Sequence, residues 1–299
     1  MQYKEFMIDV PGGQVWSQLI YTNDSKDKPP LICLHGGPGS THDKIKYGLG
    51  ALANEFPLIF YDQLGGGKSA LPDEEISSTE LWQIERFVDE LAALIAFYNI
   101  DQFNLFGNSW GSSLALEYMF SEYQPKPQKL ILSSPLISTS MWLDDVNQLK
   151  SELPVDTYNT LQDCEYNDNT DSEEYRLAMD EFYNRHVLRI SNLGYEQLEF
   201  MAEHPSTFNM DAYAYMWGPS EFYVTGTLID YERFDDLVNL DLPVLFIGGE
   251  FDEATPSSLK LFQQQVAGAE IEIVPNTSHS GFFEAPSEYA ELIRQFINK

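Results

Sequence analysis

The chain has 299 residues and is 43% hydrophobic, enough for one large domain with a well-buried core. Lys and Arg total 17 against 47 for Asp and Glu, and the resulting net charge of −30 repels phosphate backbones and anionic lipid, so neither nucleic acid nor a membrane is an expected partner. No stretch approaches the roughly 20 apolar residues of a bilayer span, and Cys33 and Cys164 have neither disulfide nor metal-ligand spacing, so a cytoplasmic protein with no metal and no cofactor is expected.

In chain order, β-rich apolar runs come first at residues 14–21 and 31–34, the second leading directly into His35-Gly36-Gly37-Pro38-Gly39. Glycines let backbone N–H groups approach a substrate oxygen closely, which makes Gly37 a candidate oxyanion donor. His35 reads as a residue that packs and hydrogen-bonds beneath that loop. A third run, 58–61, leads through Asp62-Gln63-Leu64-Gly65 to Gly66-Gly67-Lys68-Ser69. The last four residues imitate the end of a phosphate-binding loop, but the leading glycine of that motif would fall at Asp62. Apolar residues then recur at three- and four-residue spacing from Leu81 to Ile95, predicting a helix over 79–98.

The fourth run, 103–106, ends in Gly107-Asn108-Ser109-Trp110-Gly111, with a helical pattern at 114–120 beyond it. A serine on a sharp strand-to-helix turn needs small neighbours, because the turn is strained and its backbone crowded. So placed, Ser109 would present its hydroxyl as a nucleophile while the Trp110 N–H faces a developing oxyanion. After a strand-like run at 129–132 the alternation of strand and helix stops. Amphipathic patterns at 142–153 and 173–189, around an acidic stretch at 163–174, predict a helical cap inserted into the sheet domain. The expected division is 1–134 and 231–299 for the core, and 135–230 for the cap.

Two further runs, 244–247 and 270–274, lead into Asp252-Glu253 and into Ser278-His279-Ser280-Gly281, and a helix over 286–297 closes the chain. Asp252 and His279 thus lie past the last two expected strands, giving the chain order Ser, Asp, His. That order predicts a triad of Ser109 as nucleophile, His279 as base and Asp252 as the acid orienting it. Asp62 also follows a strand, but chain order favours Asp252. His42, His186 and His204 read as structural or exposed. Several runs are too continuously apolar for a one-faced sheet, so the expected fold class is α/β: a mostly parallel central sheet flanked by helices, with the cap inserted.

These motifs resemble those of the proline iminopeptidases (prolyl aminopeptidases) of the α/β-hydrolase superfamily, over nearly the whole chain. The matching residues are His-Gly-Gly-Pro-Gly at 35–39, Tyr-Asp-Gln-x-Gly-x-Gly-x-Ser at 61–69, Gly-x-Ser-Trp-Gly at 107–111 and Gly-x-x-Asp-Glu-x-Thr-Pro at 249–256. A further match, Gly218-Pro219-Ser220-Glu221-Phe222 followed by Thr225-Gly226-Thr227, falls inside the expected cap. The resemblance implies release of an N-terminal residue, preferably proline, from short peptides or amides, with Glu221, Glu253 and Tyr213 holding the free α-amine. Carboxylates facing an ammonium give charge-assisted hydrogen bonds and make an unblocked N-terminus a requirement. Asn108, Ser112, Gly66 and Lys68 depart from the commonest pattern without touching the triad, and leave dipeptidase or amino-acid amidase activity open. An esterase on the same fold would keep the triad and not need the acid pair. A non-catalytic binding protein would have lost a triad residue, and all three are present.

Overall fold

The computed structural model describes residues 1–71 and 79–299. The described strands are β1 (Gln2–Val10), β2 (Gly13–Tyr21), β3 (Leu31–Leu34), β4 (Leu58–Tyr61), β5 (Asn104–Asn108), β6 (Lys129–Ser133), β7 (Val244–Gly249) and β8 (Glu270–Val274). They form one sheet in the order β1-β2-β4-β3-β5-β6-β7-β8. Pairing is antiparallel from β1 to β2 and from β2 to β4, and parallel elsewhere. Residues of β3, β4 and β5 are buried throughout, as strands covered on both faces must be.

Successive side chains alternate between two cores. Ile32, Leu34, Ile59, Leu105, Leu132 and Phe246 face one, while Leu31, Cys33, Phe60, Phe106, Ile131 and Ile247 face the other. Helix α1 (Asp43–Leu49) covers the second face with Ile45 and Leu49, and α2 (Ile84–Tyr98) and α3 (Trp110–Phe120) cover the first. Between β6 and β7 lie α4 (Thr139–Ser151), α5 (Val155–Tyr166), α6 (Glu173–His186), α7 (Tyr195–Glu203) and α8 (Met210–Met216), and the stretch adds no strand to the sheet. Helices α9 (Pro256–Gln265), α10 (Gly281–Glu284) and α11 (Pro286–Ile297) complete the chain. Among the described residues no helix is long and apolar enough to cross a membrane.

Local chemistry sets several boundaries. The Ser138 hydroxyl accepts from the Met141 N–H, and Ser172 and Asn209 do the same for Tyr175 and Ala212, so α4, α6 and α8 each start at a side-chain cap. Helix α4 therefore begins three residues before the expected 142. The helix expected over 79–98 starts at Ile84, because Gln83 is extended and separates it from a short 3-10 turn at Thr79–Leu81. Residues 72–78 lie outside the described residues.

The helical segment holds a largely buried charged link. Lys150 on α4 pairs with Glu165 on α5 at 2.9 Å, and the Tyr175 hydroxyl on α6 meets Ser220 Oγ at 2.8 Å. Helix α6 is thereby tied to the loop that carries Glu221, and the Tyr175 hydroxyl also reaches Glu165 Oε1 at 3.5 Å, joining it to α4 and α5.

Candidate active site

Ser109 sits between β5 and α3 with φ 54° and ψ −122°, a conformation that is costly for a non-glycine residue and persists only where its surroundings enforce it. A Cβ on Gly107 would collide with the Gly111 carbonyl, and one on Gly111 would strike the Leu34 carbonyl, so the elbow needs both glycines. Ser109 lines a cavity of about 260 Å³ together with Gly36, Gly37, Phe200, Glu221 and His279. The cavity lies at the C-terminal ends of the parallel strands, beside α1 and the helical segment.

Gly37 lines this cavity, and Trp110 opens α3 directly after Ser109. Among the described residues the Gly37 N–H makes no hydrogen bond to another protein group, and Trp110, as the first residue of α3, has no carbonyl four residues back within the helix to engage its N–H. Behind them, one side chain that carried no assigned role in the sequence organises the corner. Gln63 Nε2 donates to the His35 carbonyl at 2.9 Å, and its Oε1 accepts from the Trp110 indole at 2.9 Å. The Gln63 N–H also donates to His35 Nε2 at 2.9 Å, which puts the imidazole proton on Nδ1, from where it bonds the Gly36 carbonyl. Burial lowers the His35 pKa and keeps the ring neutral in this role. His35 thus supports the glycine loop from beneath, as its sequence context implies.

Asp62 is committed elsewhere. One carboxylate oxygen accepts from both the His42 N–H and Nδ1, at 2.7 and 2.8 Å, and the other accepts from the Lys68 N–H at 2.9 Å. It pins the glycine-rich turn, while the Lys68 ammonium lies over the Trp16 ring at 3.9 Å. His186 and His204 bond the Phe251 and Phe200 carbonyls respectively.

Asp252 and His279 are brought together from the ends of β7 and β8. His279 Nδ1 stands 2.9 Å from Asp252 Oδ1, and the buried carboxylate also accepts from the Ala254 and Gly249 N–H groups. The His279 backbone is fixed by bonds to the His186 carbonyl and from Ser134 Oγ, and the Trp142 ring meets the imidazole edge to face at 5.6 Å. Burial opposes a charge on His279, but Asp252, Glu221 and Glu284 outweigh it and raise the imidazole pKa above its ordinary value. Ser109 Oγ makes no hydrogen bond to His279 among the described residues; such contacts often tighten only when substrate is present.

Two more carboxylates surround the same imidazole. Glu253 is fully buried, neither of its oxygens has a hydrogen-bond partner, and Oε1 lies 3.6 Å from His279 Nδ1. Burial, with Glu221 and Asp252 beside it, pushes the Glu253 pKa well above the usual carboxylate range. Glu221 opens onto the cavity and is raised by burial, against the opposing effects of His279 and Tyr213. The Tyr213 hydroxyl faces Glu221 but completes no hydrogen bond of standard geometry. Glu253 and Tyr213 lie behind the cavity lining, whereas Glu221 is part of it. Among the described residues no Lys or Arg pairs with Asp252, Glu221 or Glu253. An ionised carboxylate is costly to bury without a partner, which is why burial raises both pKa values. Among the described residues no cluster has the arrangement of a metal site.

Two aromatic residues not anticipated from sequence touch the Glu221 backbone. The Tyr183 hydroxyl accepts from the Glu221 N–H at 3.1 Å, and the Trp142 indole donates to the Glu221 carbonyl at 2.9 Å. Their only sequence signal is apolar spacing on amphipathic helices, which predicts packing alone.

Residues 29–286 match a family described as alpha/beta hydrolase fold. The chain is 38% identical over 298 residues to a proline iminopeptidase of Heyndrickxia coagulans, covering 99% of each. A crystal structure of proline iminopeptidase from Mycobacterium smegmatis superimposes with a TM-score of 0.83 at 31% identity, covering 99% of this chain and 98% of that one. The crystal structure of VinJ gives a TM-score of 0.85, also at 31% identity and with the same coverage.

Proposed function

The chain belongs to the proline iminopeptidases of the α/β-hydrolase fold, and from that membership we propose a serine exopeptidase that releases an N-terminal residue, preferably proline, from short peptides or amides. The observation that carries the reading is Glu253, a buried carboxyl group whose oxygens have no hydrogen-bond partner, with half-buried Glu221 lining the cavity beside an Asp-His pair and a serine elbow. A triad that cut simple esters would gain nothing from the cost of burying Glu253 beside Glu221. An N-terminal proline carries a secondary ammonium with two N–H bonds, one for each acid, and Tyr213 adds a polar contact beside them.

In this reading residues 135–230 act as a cap over the C-terminal edge of the sheet and supply Glu221 and Tyr213. Ser109 Oγ attacks the scissile carbonyl while His279 Nε2 takes its proton, and Asp252 holds the imidazole in the required tautomer. The Gly37 and Trp110 N–H groups receive the negative charge on the tetrahedral oxygen. The imidazolium returns its proton to the departing amine, the C–N bond breaks, and water resolves the acyl-enzyme by the same base. A reducing cytoplasm, with its supply of short peptides, is the proposed setting.

The test is a panel of aminoacyl-naphthylamides with free and acetylated N-termini. Prolyl-naphthylamide is expected to be the best substrate and its acetylated form to be cut poorly; comparable hydrolysis of the two would contradict the reading.

A pH profile follows from the acids around His279. The base must be neutral to act, so kcat/KM should rise with pH through an apparent value above the ~6.5 of an ordinary histidine, because the free site holds the imidazolium among carboxylates. Bound substrate brings an ammonium that offsets Glu221, which favours the neutral imidazole. The acid limb of kcat should therefore lie at lower pH than that of kcat/KM. Coincident limbs would show that the acids do not exchange their charge with substrate.

A further inference from the structure

The main chain at Glu221 is held from every side. Trp217 Nε1 donates to the Ser220 carbonyl at 3.1 Å, Tyr175 engages Ser220 Oγ, Tyr183 Oη accepts from the Glu221 N–H, and Trp142 Nε1 donates to the Glu221 carbonyl. These partners come from α4, α6 and the turn after α8, so the position of Glu221 is a consensus of separate helices rather than a property of its own loop.

Trp142 differs from the others because it has a second contact. While its N–H holds Glu221, its ring packs against the His279 imidazole at 5.6 Å and 90°, and against Trp217 at 5.8 Å and 85°. One buried indole thus touches both the segment that carries an amine-binding acid and the base. An α-amino acyl substrate has a fixed separation between its ammonium and its carbonyl. The site must reproduce that separation between Glu221 and the Ser109-His279 pair, and a misplacement of about 1 Å can cost on the order of 100-fold in rate.

Resting on the exopeptidase reading above, we propose that Trp142 and Tyr183 are positioning residues that clamp the Glu221 backbone, with Trp142 setting the spacing between the amine-binding carboxylate and His279. Neither residue makes a hydrogen bond to Ser109 or His279 among the described residues, and Trp142 meets the imidazole by ring packing alone. Each acts by removing freedom from a carboxylate whose location decides whether the substrate carbonyl reaches Ser109.

The experiment is the ratio of kcat/KM for prolyl-naphthylamide to that for its acetylated form, measured in W142F, Y183F and E221Q. A ratio cancels any general loss of turnover or folded fraction, which a merely structural role would impose on both substrates. Trp142→Phe keeps an aromatic ring beside His279 and removes the N–H, while Tyr183→Phe removes only the hydroxyl. Each is expected to lower the ratio about tenfold, with E221Q lowering it further. If E221Q lowers the ratio and both clamp variants keep the wild-type value, the clamp is overturned and the amine reading stands. If E221Q also keeps it, both are overturned. Should W142F not fold, Y183F decides the clamp on the same criterion.

Discussion

Replacing Ser109 with alanine is expected to lower kcat by on the order of 10⁴-fold or more, with the fold unchanged. The hydroxyl makes no hydrogen bond in the structure among the described residues, and alanine carries the same Cβ at φ 54°, so the strain of the elbow is neither relieved nor increased. The melting temperature should stay within a few degrees of wild type. Binding of prolinamide, which occupies the amine site without needing the nucleophile, should survive. Turnover within tenfold of wild type in a folded S109A variant would remove Ser109 from the mechanism.

Much of the core was legible because its strands are apolar runs bounded by turn residues. The expected spans 31–34, 58–61 and 270–274 and the helix at 286–297 agree to the residue with β3, β4, β8 and α11. Strand β1 had no such signature. It lies at the sheet edge, most of its residues are exposed, and Ile8 is its one fully buried side chain, so no apolar run marks it. The turn at Pro11-Gly12, where Gly12 has φ 95°, was the available cue. Helices α5, α7 and α8 were not separately expected: α5 buries only Leu161 and Cys164, α7 buries no side chain fully, and α8, with seven residues, is too short to set a clear periodic pattern.

The site was legible where chemistry coincides with a strand end. Ser109 follows β5 directly, and Asp252 and His279 lie in the loops just past β7 and β8, so pattern and topology point to the same residues. Glu221, Glu253 and Tyr213 entered through family resemblance, because no spacing rule links a loop acid in a helical segment to one beside β7. Gln63, Trp142 and Tyr183 act through hydrogen bonds to distant backbone or indole groups. An amide or aromatic side chain signals nothing of that kind in sequence until the partner is in place.

Changing Glu253 to glutamine should separate stability from function. A carboxylate near an ammonium at 4 Å gains up to ~4 kcal/mol at an effective dielectric of ~20, before desolvation is subtracted. Loss of one such contact should lower kcat/KM for prolyl-naphthylamide by roughly 100-fold, since the amine also aligns the carbonyl against Ser109. Stability should move the other way. The folded Glu253 pKa is raised, so between the ordinary carboxylate value and the folded value the native state binds the extra proton, and stability falls as pH rises through that window. Glutamine does not titrate and escapes this loss. E253Q should therefore melt at or above the wild-type temperature at neutral pH, and a clear drop would show that the carboxylate is a structural element instead.

The most direct test of amine-directed cleavage is a double cycle that pairs Glu253→Gln with acetylation of the substrate, read as kcat/KM for prolyl-naphthylamide and its acetylated form in wild type and variant. If Glu253 reads the ammonium, the two changes remove the same interaction, so acetylation should penalise the wild type far more than it penalises E253Q. Equal penalties in both enzymes, with the effects simply adding, would mean that the buried acid and the substrate amine do not meet, and the exopeptidase account would fail.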